Sequence, residues 1–332
     1  MNLLEQEAFN RRRTWEVMAA FVVFLVLIGA GLDIFVVGAF PVATLGALAV
    51  GGGSALLTYR TGDRMILASS HAQPVDELLA ASPGEDDQLR YRQLQNVVEE
   101  VAIASGLPAP RAFVIPDDDP NAFATGRDPA HASIAVTAGL LRSLNREELQ
   151  GVVAHEMGHV RNFDIRLMMI VSALVGAVVL IADWAGRSLR YGSFGRGRRG
   201  KDAGAAMLII VAIWIVAVVL APIAAQLMAL CVSRQREYLA DASSAELTRN
   251  PLALASALEK IDEATAPTTA IKKGSAALCI ADPNERPVNE REGGWSNLWA
   301  THPPMAKRIA ALQAMAYQSG HGSGSSGAAA RG

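Results

Sequence analysis

Four long apolar runs constrain the fold of this chain more than any other feature of its sequence. They cover residues 17–32, 34–57, 167–184 and 205–232. Hydrophobic residues make up 51% of the 332 residues and charged residues 19%, and much of the apolar excess over an ordinary soluble chain lies in these runs. Because a helix needs about 17–25 mostly apolar residues to cross a bilayer, the runs predict a mostly α-helical membrane protein.

The first two runs are predicted to form an N-terminal transmembrane hairpin within residues 1–64. Asp33 marks the turn between them, and basic residues flank both outer ends, Arg11 to Arg13 on one side and Arg60 with Arg64 on the other. Lys and Arg accumulate in the cytoplasmic flanks of membrane helices. Both ends of the hairpin, and the chain that follows it, are therefore predicted to be cytoplasmic.

The second apolar pair lies within residues 167–232, and the sequence leaves its topology open. The loop between its runs, residues 187–201, is rich in arginine. If both runs span the bilayer, this loop lies on the non-cytoplasmic side and contradicts the positive-inside rule. Spanning is the favoured interpretation because residues 205–232 are nearly uncharged, and a shallow hairpin that partly enters the bilayer is the alternative.

Between the two apolar pairs, residues 65–166 are predicted to form the first part of a small α+β domain. The expected elements are, in order, a connector over residues 65–87, a helix over 88–105, a strand over 111–116, a loop over 117–132, a strand over 133–137 and a helix beginning near Arg146. Asn145, with Glu148 three residues later, is a capping-box signature for the start of that last helix.

After the second apolar pair, residues 233–318 are predicted to complete this domain. The expected elements are, in order, a helix from residue 233 past Pro251 to Ile261, an extended loop over 265–297 and a last helix after Pro304. The tail, residues 319–332, is rich in Gly, Ser and Ala and is predicted to be disordered.

The helix predicted from Arg146 carries the sequence AHEMGH, in which His155, Glu156 and His159 match the pattern H-E-x-x-H. Two histidines four residues apart project from one helix face, so both imidazoles can reach one Zn²⁺ ion at about 2.0–2.1 Å. The intervening glutamate faces the bound water and can act as a general base. The pattern predicts one Zn²⁺ per chain, with Glu156 as a catalytic residue.

A catalytic zinc site needs a third protein ligand and an open position for water. The metzincin spacing would require a histidine at the position of Ile165. The segment REYLADASSAEL instead offers Glu237 and Asp241, one helical turn apart. Glu237 could bind the metal while Asp241 accepts a hydrogen bond from a ligating histidine. An ordinary solvated pair of carboxylates fits the same spacing, so the residues alone leave this open.

Four motifs around the paired apolar segments resemble the HtpX-like membrane zinc metalloproteases, relatives of the eukaryotic CAAX prenyl endopeptidases. They are, in chain order, NAFATG, AHEMGHV, REYLADASSAELT and THPPMAKRIAAL. The resemblance extends from about Arg11 to Leu312, and it is poor in residues 187–201 and in the tail. It implies a zincin-type, gluzincin-like catalytic domain into which the second apolar pair is inserted.

The resemblance also implies roles for particular residues. The zinc ligands would be His155, His159 and Glu237, with Glu156 as general base and Asp241 supporting a ligating histidine. His302, in THPP, would come near the site as an electrophilic hydrogen-bond donor, although a histidine that only packs at a helix entry fits the sequence too. Arg308 could pair with either downstream carboxylate or remain solvated.

A substrate peptide needs an edge along which to lie. The strand predicted over residues 133–137, with the loop from Asn121 to Gly126, is a candidate edge to which an extended peptide adds through main-chain hydrogen bonds. An internal strand with a glycine turn is the alternative, and the resemblance favours the substrate edge. The substrate-binding candidates are Asn121, Ala122, Phe123, Ser133, Ile134, Ala135 and Val136.

The expected protein is a multi-pass zinc endopeptidase of the cell (inner) membrane that cleaves membrane proteins at the cytoplasmic face. The resemblance implies a role in quality control, with misfolded membrane proteins as substrates. One alternative is a narrow-specificity processing peptidase for a lipidated or membrane-anchored peptide. Another is a non-catalytic membrane scaffold with a structural metal site. The net charge of −2 gives no support to nucleic-acid binding.

Overall fold

A computed structural model describes residues 42–81, 84–170, 234–264, 270–271, 278–281 and 303–322, with scattered positions between residues 12 and 26. Its helices are α1 (Val42–Ser69), α2 (Val75–Ala80), α3 (Glu85–Ser105), α4 (Ala138–Ser143), α5 (Arg146–Arg161), α6 (Arg234–Thr248), α7 (Pro251–Glu263) and α8 (Met305–Gly322). Its strands are β1 (Gln73–Pro74), β2 (Arg111–Ile115), β3 (Ala122–Gly126) and β4 (Ala132–Thr137).

The predicted membrane segments lie largely outside this description. The run over residues 205–232 and the basic loop over 187–201 fall outside it, as does most of the runs over 17–32 and 167–184. Within the described ranges, no helix is both long enough and apolar enough to cross a membrane. The transmembrane hairpin and the second apolar pair therefore stay predictions.

Helix α1 begins within the second apolar run and continues past the end predicted for it. The prediction ends the helix at residue 57, whereas α1 runs through Arg60 and Arg64 to Ser69. Its last turns place Ile66 and Leu67 in a buried cluster against the sheet. The first residues of the predicted connector, 65–69, are therefore helical, and apolar contacts with the domain stabilise this end of α1.

The sheet has the strand order β1-β2-β4-β3. Strand β1 pairs antiparallel with β2, β2 pairs parallel with β4, and β3 pairs antiparallel with β4. Strands β2 and β4 lie where the sequence predicts them. Strand β3 falls within the segment predicted as a loop, and that prediction is wrong because Ala122 to Gly126 pair in register along β4.

The prediction that residues 133–137 form an edge strand is also wrong. Strand β4 is paired on both sides, and the side chains of Ser133, Ile134, Ala135 and Val136 are buried. Strand β3 is the strand at that end of the sheet. The candidate substrate edge is therefore β3, which the sequence predicts as a loop, and not β4, which it predicts as a strand.

Helices α3, α5, α7 and α8 contribute to one buried cluster on one face of the sheet. Leu94 and Val98 of α3, Val152 and Met157 of α5 and Ile134 of β4 all belong to it. The other face carries Phe113 and Phe123, which pack with the end of α1 and with residues 168–170. The sheet is thus covered on both faces, and α5 lies in the main core.

The boundaries of α3 and α5 follow from local chemistry. Three acidic residues in the first turn of α3 favour its positive N-terminal end, so the helix begins at Glu85, three residues before the predicted start. It ends at Ser105, and the next residue, Gly106, caps it with a left-handed φ of 69°. Helix α5 begins at Arg146 as predicted, and the capping box between Asn145 and Glu148 is present in both directions.

Of three later predictions, one is confirmed and two are wrong in part. The helix predicted to continue past Pro251 is broken: Arg249 has a φ of 53°, and Asn250 caps a new helix whose first residue is Pro251. Proline has no N–H to continue the preceding helix. The last helix follows Pro304 as predicted, but it extends to Gly322, so the first residues of the predicted disordered tail are helical.

Glycines in α5 allow two helices to approach it closely. A Cβ on Gly158 would lie 3.1 Å from Cα of Ala240 in α6, and a Cβ on Gly151 would lie 3.0 Å from N of Leu254 in α7. Ser244 adds a hydrogen bond from its hydroxyl to O of Gly151, at 2.8 Å. The absence of a side chain at Gly158 therefore sets the distance between α5 and α6.

Replacing Gly158 with Val is expected to push α6 away from α5. Overpacking of this kind lowers the free energy of unfolding by about 1–3 kcal/mol. The measurement is a denaturant unfolding curve of the purified full-length protein. An unfolding free energy equal to that of the wild type would contradict the close approach of the two helices.

Candidate metal centre

Helix α5 presents His155, Glu156 and His159 in the interior of the protein. All three are buried, with 0%, 1% and 4% of their surfaces exposed. The two imidazoles lie edge to face with their ring centres 4.9 Å apart, as expected for residues one turn apart on a helix. Burial in the core therefore fixes both rings on the side of α5 that meets α6.

Glu237 lies in the first turn of α6 and completes the set. Its Oε2 is 3.7 Å from Nε2 of His155, and its Oε1 is 3.6 Å from Nε2 of His159. Both imidazoles thus turn the same nitrogen toward one carboxylate. The alternative that the sequence left open, a solvated pair of carboxylates, does not apply to Glu237, which is 1% exposed.

Asp241 supports His155 from one turn further along α6. Its Oδ1 lies 2.9 Å from Nδ1 of His155, so an Nδ1–H there donates to the carboxylate and leaves Nε2 without a proton. Asp241 has no exposed surface. Burial alone would raise the pKa of Asp241, but the charge of Arg308 and the bond from His155 outweigh it and lower the pKa to about 2.

Arg308 of α8 joins both downstream carboxylates. Its Nε donates to Oδ2 of Asp241 at 2.9 Å and its Nη2 donates to Oδ1 at 2.7 Å. Its Nη1 lies 3.4 Å from Oε2 of Glu237 and donates to O of Ile280 at 3.0 Å. The sequence left the partner of Arg308 open, and the structure places it fully buried between these groups.

A further carboxylate, Asp164, contacts the second histidine, although no sequence motif indicates it. Its Oδ2 lies 3.3 Å from Nδ1 of His159, and its surface is 1% exposed. The signal available in the sequence was an acidic residue five positions after the second histidine, beyond the end of the helix. No helical spacing brings those positions together, so the contact depends on the turn that follows α5.

The three residues fit a catalytic metal ion. Their ligand atoms lie within 4.8 Å of one another, and about 3.3 Å would separate ligands held at 2.0–2.1 Å around a tetrahedral zinc. A small inward movement would therefore close the site. Oε2 of Glu156 is buried and has no hydrogen-bond partner among the described residues. A water molecule in the site could donate a hydrogen bond to this oxygen. Two imidazoles and one carboxylate suit Zn²⁺.

Burial shapes the acid–base properties of Glu156. Desolvation, assisted by the negative charge of Glu237, raises the pKa of Glu156 to about 7, although His159 and the N–H of Ala124 oppose the shift. A general base is most effective when its pKa lies near the working pH. In the metal-free site, Glu156 therefore has a proton affinity close to that of a base acting near neutral pH.

The neighbours of His159 favour the charged form of its ring. Burial favours the neutral ring, but the hydrogen bond to Asp164 and the charges of Glu237 and Glu156 outweigh it and raise the pKa of His159 to about 9. Burial lowers the pKa of His155. Since a metal binds only a neutral imidazole, metal binding near neutral pH displaces a proton from His159.

The remaining candidates have mixed outcomes. His302 lies outside the described residues, so its proposed contact with the site stays a prediction. The side chain of Asn121 is buried, and its Nδ2 donates to O of Ala281 at 3.0 Å. Ala122 and Phe123 are buried on β3, and the N–H of Ile280 donates to O of Ala122 at 2.9 Å. Part of the outer side of β3 is therefore already paired.

Two imidazoles and a carboxylate around one point, beside a buried glutamate with a raised pKa, define the site of a metal-dependent hydrolase. Comparisons with known proteins agree. A model of peptidase family M48 matches residues 88–316. The chain therefore belongs to peptidase family M48 and is a metalloprotease.

Two curated relatives are similar over nearly the whole chain. The protease HtpX homologue of Streptococcus gordonii is 40% identical, with 94% of this chain and 100% of the relative covered. The protease HtpX homologue of Lactiplantibacillus plantarum is 41% identical with the same coverage. Among solved structures, the crystal structure of S. mikatae Ste24p is similar at 22% identity and a TM-score of 0.48, covering 93% of this chain and 67% of that one.

Replacing Glu156 with Gln is expected to stabilise the metal-stripped protein at about pH 8. The folded pKa of about 7 lies above the ordinary value of 4.5, so the stability associated with this carboxyl is present below the ordinary value and lost as the pH rises through 7. The gain in unfolding free energy should be about 1–3 kcal/mol at about pH 8, should shrink as the pH falls through 7, and should vanish below the ordinary pKa of 4.5.

Urea unfolding of the chelator-treated full-length protein at several pH values measures this difference. Glu263→Gln, at an exposed position in α7, is the matched control and should show no such dependence. A difference between Glu156→Gln and the wild type that does not change with pH would contradict the raised pKa.

Proposed function

We propose that this metalloprotease is a membrane-bound zinc endopeptidase that cleaves membrane proteins at the cytoplasmic face, in membrane protein quality control. The observation that carries the chemical part is the buried trio of His155, His159 and Glu237 with Glu156 beside it. A structural zinc site usually has four protein ligands, often cysteines. A trio with an adjacent base therefore supports hydrolysis over a scaffold role.

The chain contributes the base and its orientation. Zinc, when bound, polarises the scissile carbonyl and lowers the pKa of a water molecule toward about 7. The N–H of Ala124 donates to the carboxylate of Glu156, whereas Oε2 of Glu156 has no hydrogen-bond partner among the described residues. That oxygen would take the proton from the attacking water, and Glu156 would then pass it to the leaving amine.

Charge on the tetrahedral intermediate also has to be stabilised. We propose His302 as a hydrogen-bond donor to the oxyanion. The support is the position of His302 in the chain. It lies just before Pro303 and Pro304, which lead into α8 at Met305. Arg308, which pairs with Asp241, follows His302 by six residues. Arg308 is engaged with Asp241 and Ile280, which favours a positioning role for it.

The outer side of β3 is the proposed binding edge for the substrate. The N–H of Thr137 donates to O of Asn121 on the side of β4, so the alternate residues Ala122, Ala124 and Gly126 turn their main-chain groups outward. Ile280 pairs with the first of these. A peptide would therefore lie beside Ala124 and Gly126, and the N–H of Ala124 places this edge next to the general base.

The membrane and quality-control parts of the proposal rest on the sequence and on the family. The run over residues 34–57 is long enough to span a bilayer, and Arg60 with Arg64 flank it. The two curated relatives are HtpX homologues, aligned over their full length. A main-chain edge reads little side-chain identity, which suits an enzyme that meets many misfolded substrates.

Replacing Glu156 with Gln tests the proposal most directly. The variant is expected to retain one zinc per chain, because the residue is not a ligand, and to lose at least about 100-fold in peptide cleavage, because the base is gone. Zinc is measured by elemental analysis and cleavage with an unfolded membrane protein in detergent. Glu263→Gln is the control and should match the wild type.

The outcomes separate the alternatives. Retained cleavage in the Glu156→Gln variant would remove Glu156 as the base. A wild-type protein that binds zinc but cleaves nothing would favour a scaffold with a structural metal. Cleavage confined to one lipidated or membrane-anchored peptide would favour the narrow-specificity processing peptidase over quality control.

Main-chain recognition gives a second prediction. Methylating the substrate amide that donates to O of Ala124 is expected to reduce kcat/KM about tenfold, since it removes a hydrogen bond and adds bulk. Changing the side chain of that substrate residue to alanine should have a smaller effect. Equal effects of the two changes in a peptide cleavage assay would contradict binding along β3.

A further inference from the structure

The turn after α5 contains a residue in an unusual conformation. Phe163 has a φ of 58°, in the left-handed region that bulky residues rarely adopt. Its N–H donates to O of Val160 at 3.2 Å, and the guanidinium of Arg166 lies 5.8 Å from its ring centre. The turn is short, because the chain is helical again from residue 164. As a result, the next residue, Asp164, lies against the helix that has just ended.

Asp164 meets the side of His159 that faces away from the metal centre. Nδ1 of His159 is 3.3 Å from Asp164, while Nε2 is 3.6 Å from Oε1 of Glu237. With a metal at Nε2, the proton of the neutral ring is on Nδ1 and is donated to Asp164. That bond selects one tautomer and one rotation of the ring, and a carboxylate acceptor makes the ring a stronger ligand.

Asp164 also contacts the helix that supplies the third ligand. Nη1 of Arg236 lies 3.7 Å from Oδ1 of Asp164, and Arg236 directly precedes Glu237 on α6. Both members of this pair are shielded from solvent, with side-chain exposures of 16% and 1%. Asp164 therefore lies between the last ligand on α5 and the start of the helix that carries the other ligand.

We propose that Asp164 is a positioning residue of the metal centre, which orients His159 through Nδ1 and links it through Arg236 to the helix that carries Glu237. The inference rests on the proposed zinc site. It gives each ligating histidine its own carboxylate, Asp241 for His155 and Asp164 for His159. The strained turn at Phe163 then has a structural purpose, because it delivers Asp164 to its place.

Two variants of the full-length protein test this, with Glu246→Gln as the matched control. Glu246 is an exposed carboxylate of α6 that pairs with Arg161 near the end of α5, at 3.4 Å. Asp164→Ala is expected to bind zinc about 10–100-fold more weakly than the wild type in competition with a chelator. Asp164→Asn keeps an acceptor oxygen, so its zinc affinity should lie between that of Asp164→Ala and that of the wild type. The control should match the wild type.

Cobalt substitution separates positioning from general destabilisation. A changed ring orientation alters the visible absorption of Co²⁺ at the site, whereas a loss of stability elsewhere lowers only the melting temperature of the metal-free protein. We expect an altered Co²⁺ spectrum for Asp164→Ala and an unchanged one for Glu246→Gln. Zinc affinity within about threefold of wild type, with an unchanged Co²⁺ spectrum, would overturn the inference.

If Asp164→Ala does not fold, Asp164→Asn decides the question. Zinc binding weakened by more than about threefold, with a changed Co²⁺ spectrum, would support the inference, and binding equal to that of the control would overturn it. A wild-type protein that binds no stoichiometric zinc is a different result. It would overturn the proposed zinc site and this inference with it.

Discussion

The ion pair between Arg308 and Asp241 connects the parts of the metal centre that are distant in the sequence. Both residues are fully buried, and the guanidinium binds the carboxylate through two nitrogens. Asp241 in turn accepts from His155, and Arg308 also holds the main chain at Ile280, which pairs with β3. Breaking such a buried pair from one side costs about 3–5 kcal/mol, so α5, α6, α8 and the sheet edge depend on it together.

The sequence predicts the local half of the site and little of the rest. His155, Glu156 and His159 lie within two turns of one helix, and its capping box marks the start, so helical spacing alone brings them together. Glu237, Asp241 and Arg308 come from other helices. The spacing of the first two also fits a solvated pair of carboxylates, and the resemblance to a known family favours their role at the metal. Asp164 was missed because a single left-handed residue, Phe163, produces the contact.

The same contrast holds for the fold. Strands β2 and β4 are apolar and rich in β-branched residues, and the sequence predicts them, whereas β3 reads AFATG, with small residues and a terminal glycine typical of a loop. Its strand conformation comes from pairing with β4, and local sequence propensity does not predict such a pairing. This strand nevertheless carries the N–H of Ala124 that contacts Glu156, so the least predictable strand lies nearest to the proposed chemistry.

The central claim is that His155, His159 and Glu237 bind one zinc ion with a position left open for water. X-ray absorption spectroscopy of the zinc-loaded full-length protein measures the ligands directly. We expect two imidazole nitrogens and two oxygens at about 2.0–2.1 Å, with one oxygen lost in a Glu237→Ala variant. A sulfur ligand, a third imidazole in place of an oxygen, or a spectrum unaffected by Glu237→Ala would contradict the account.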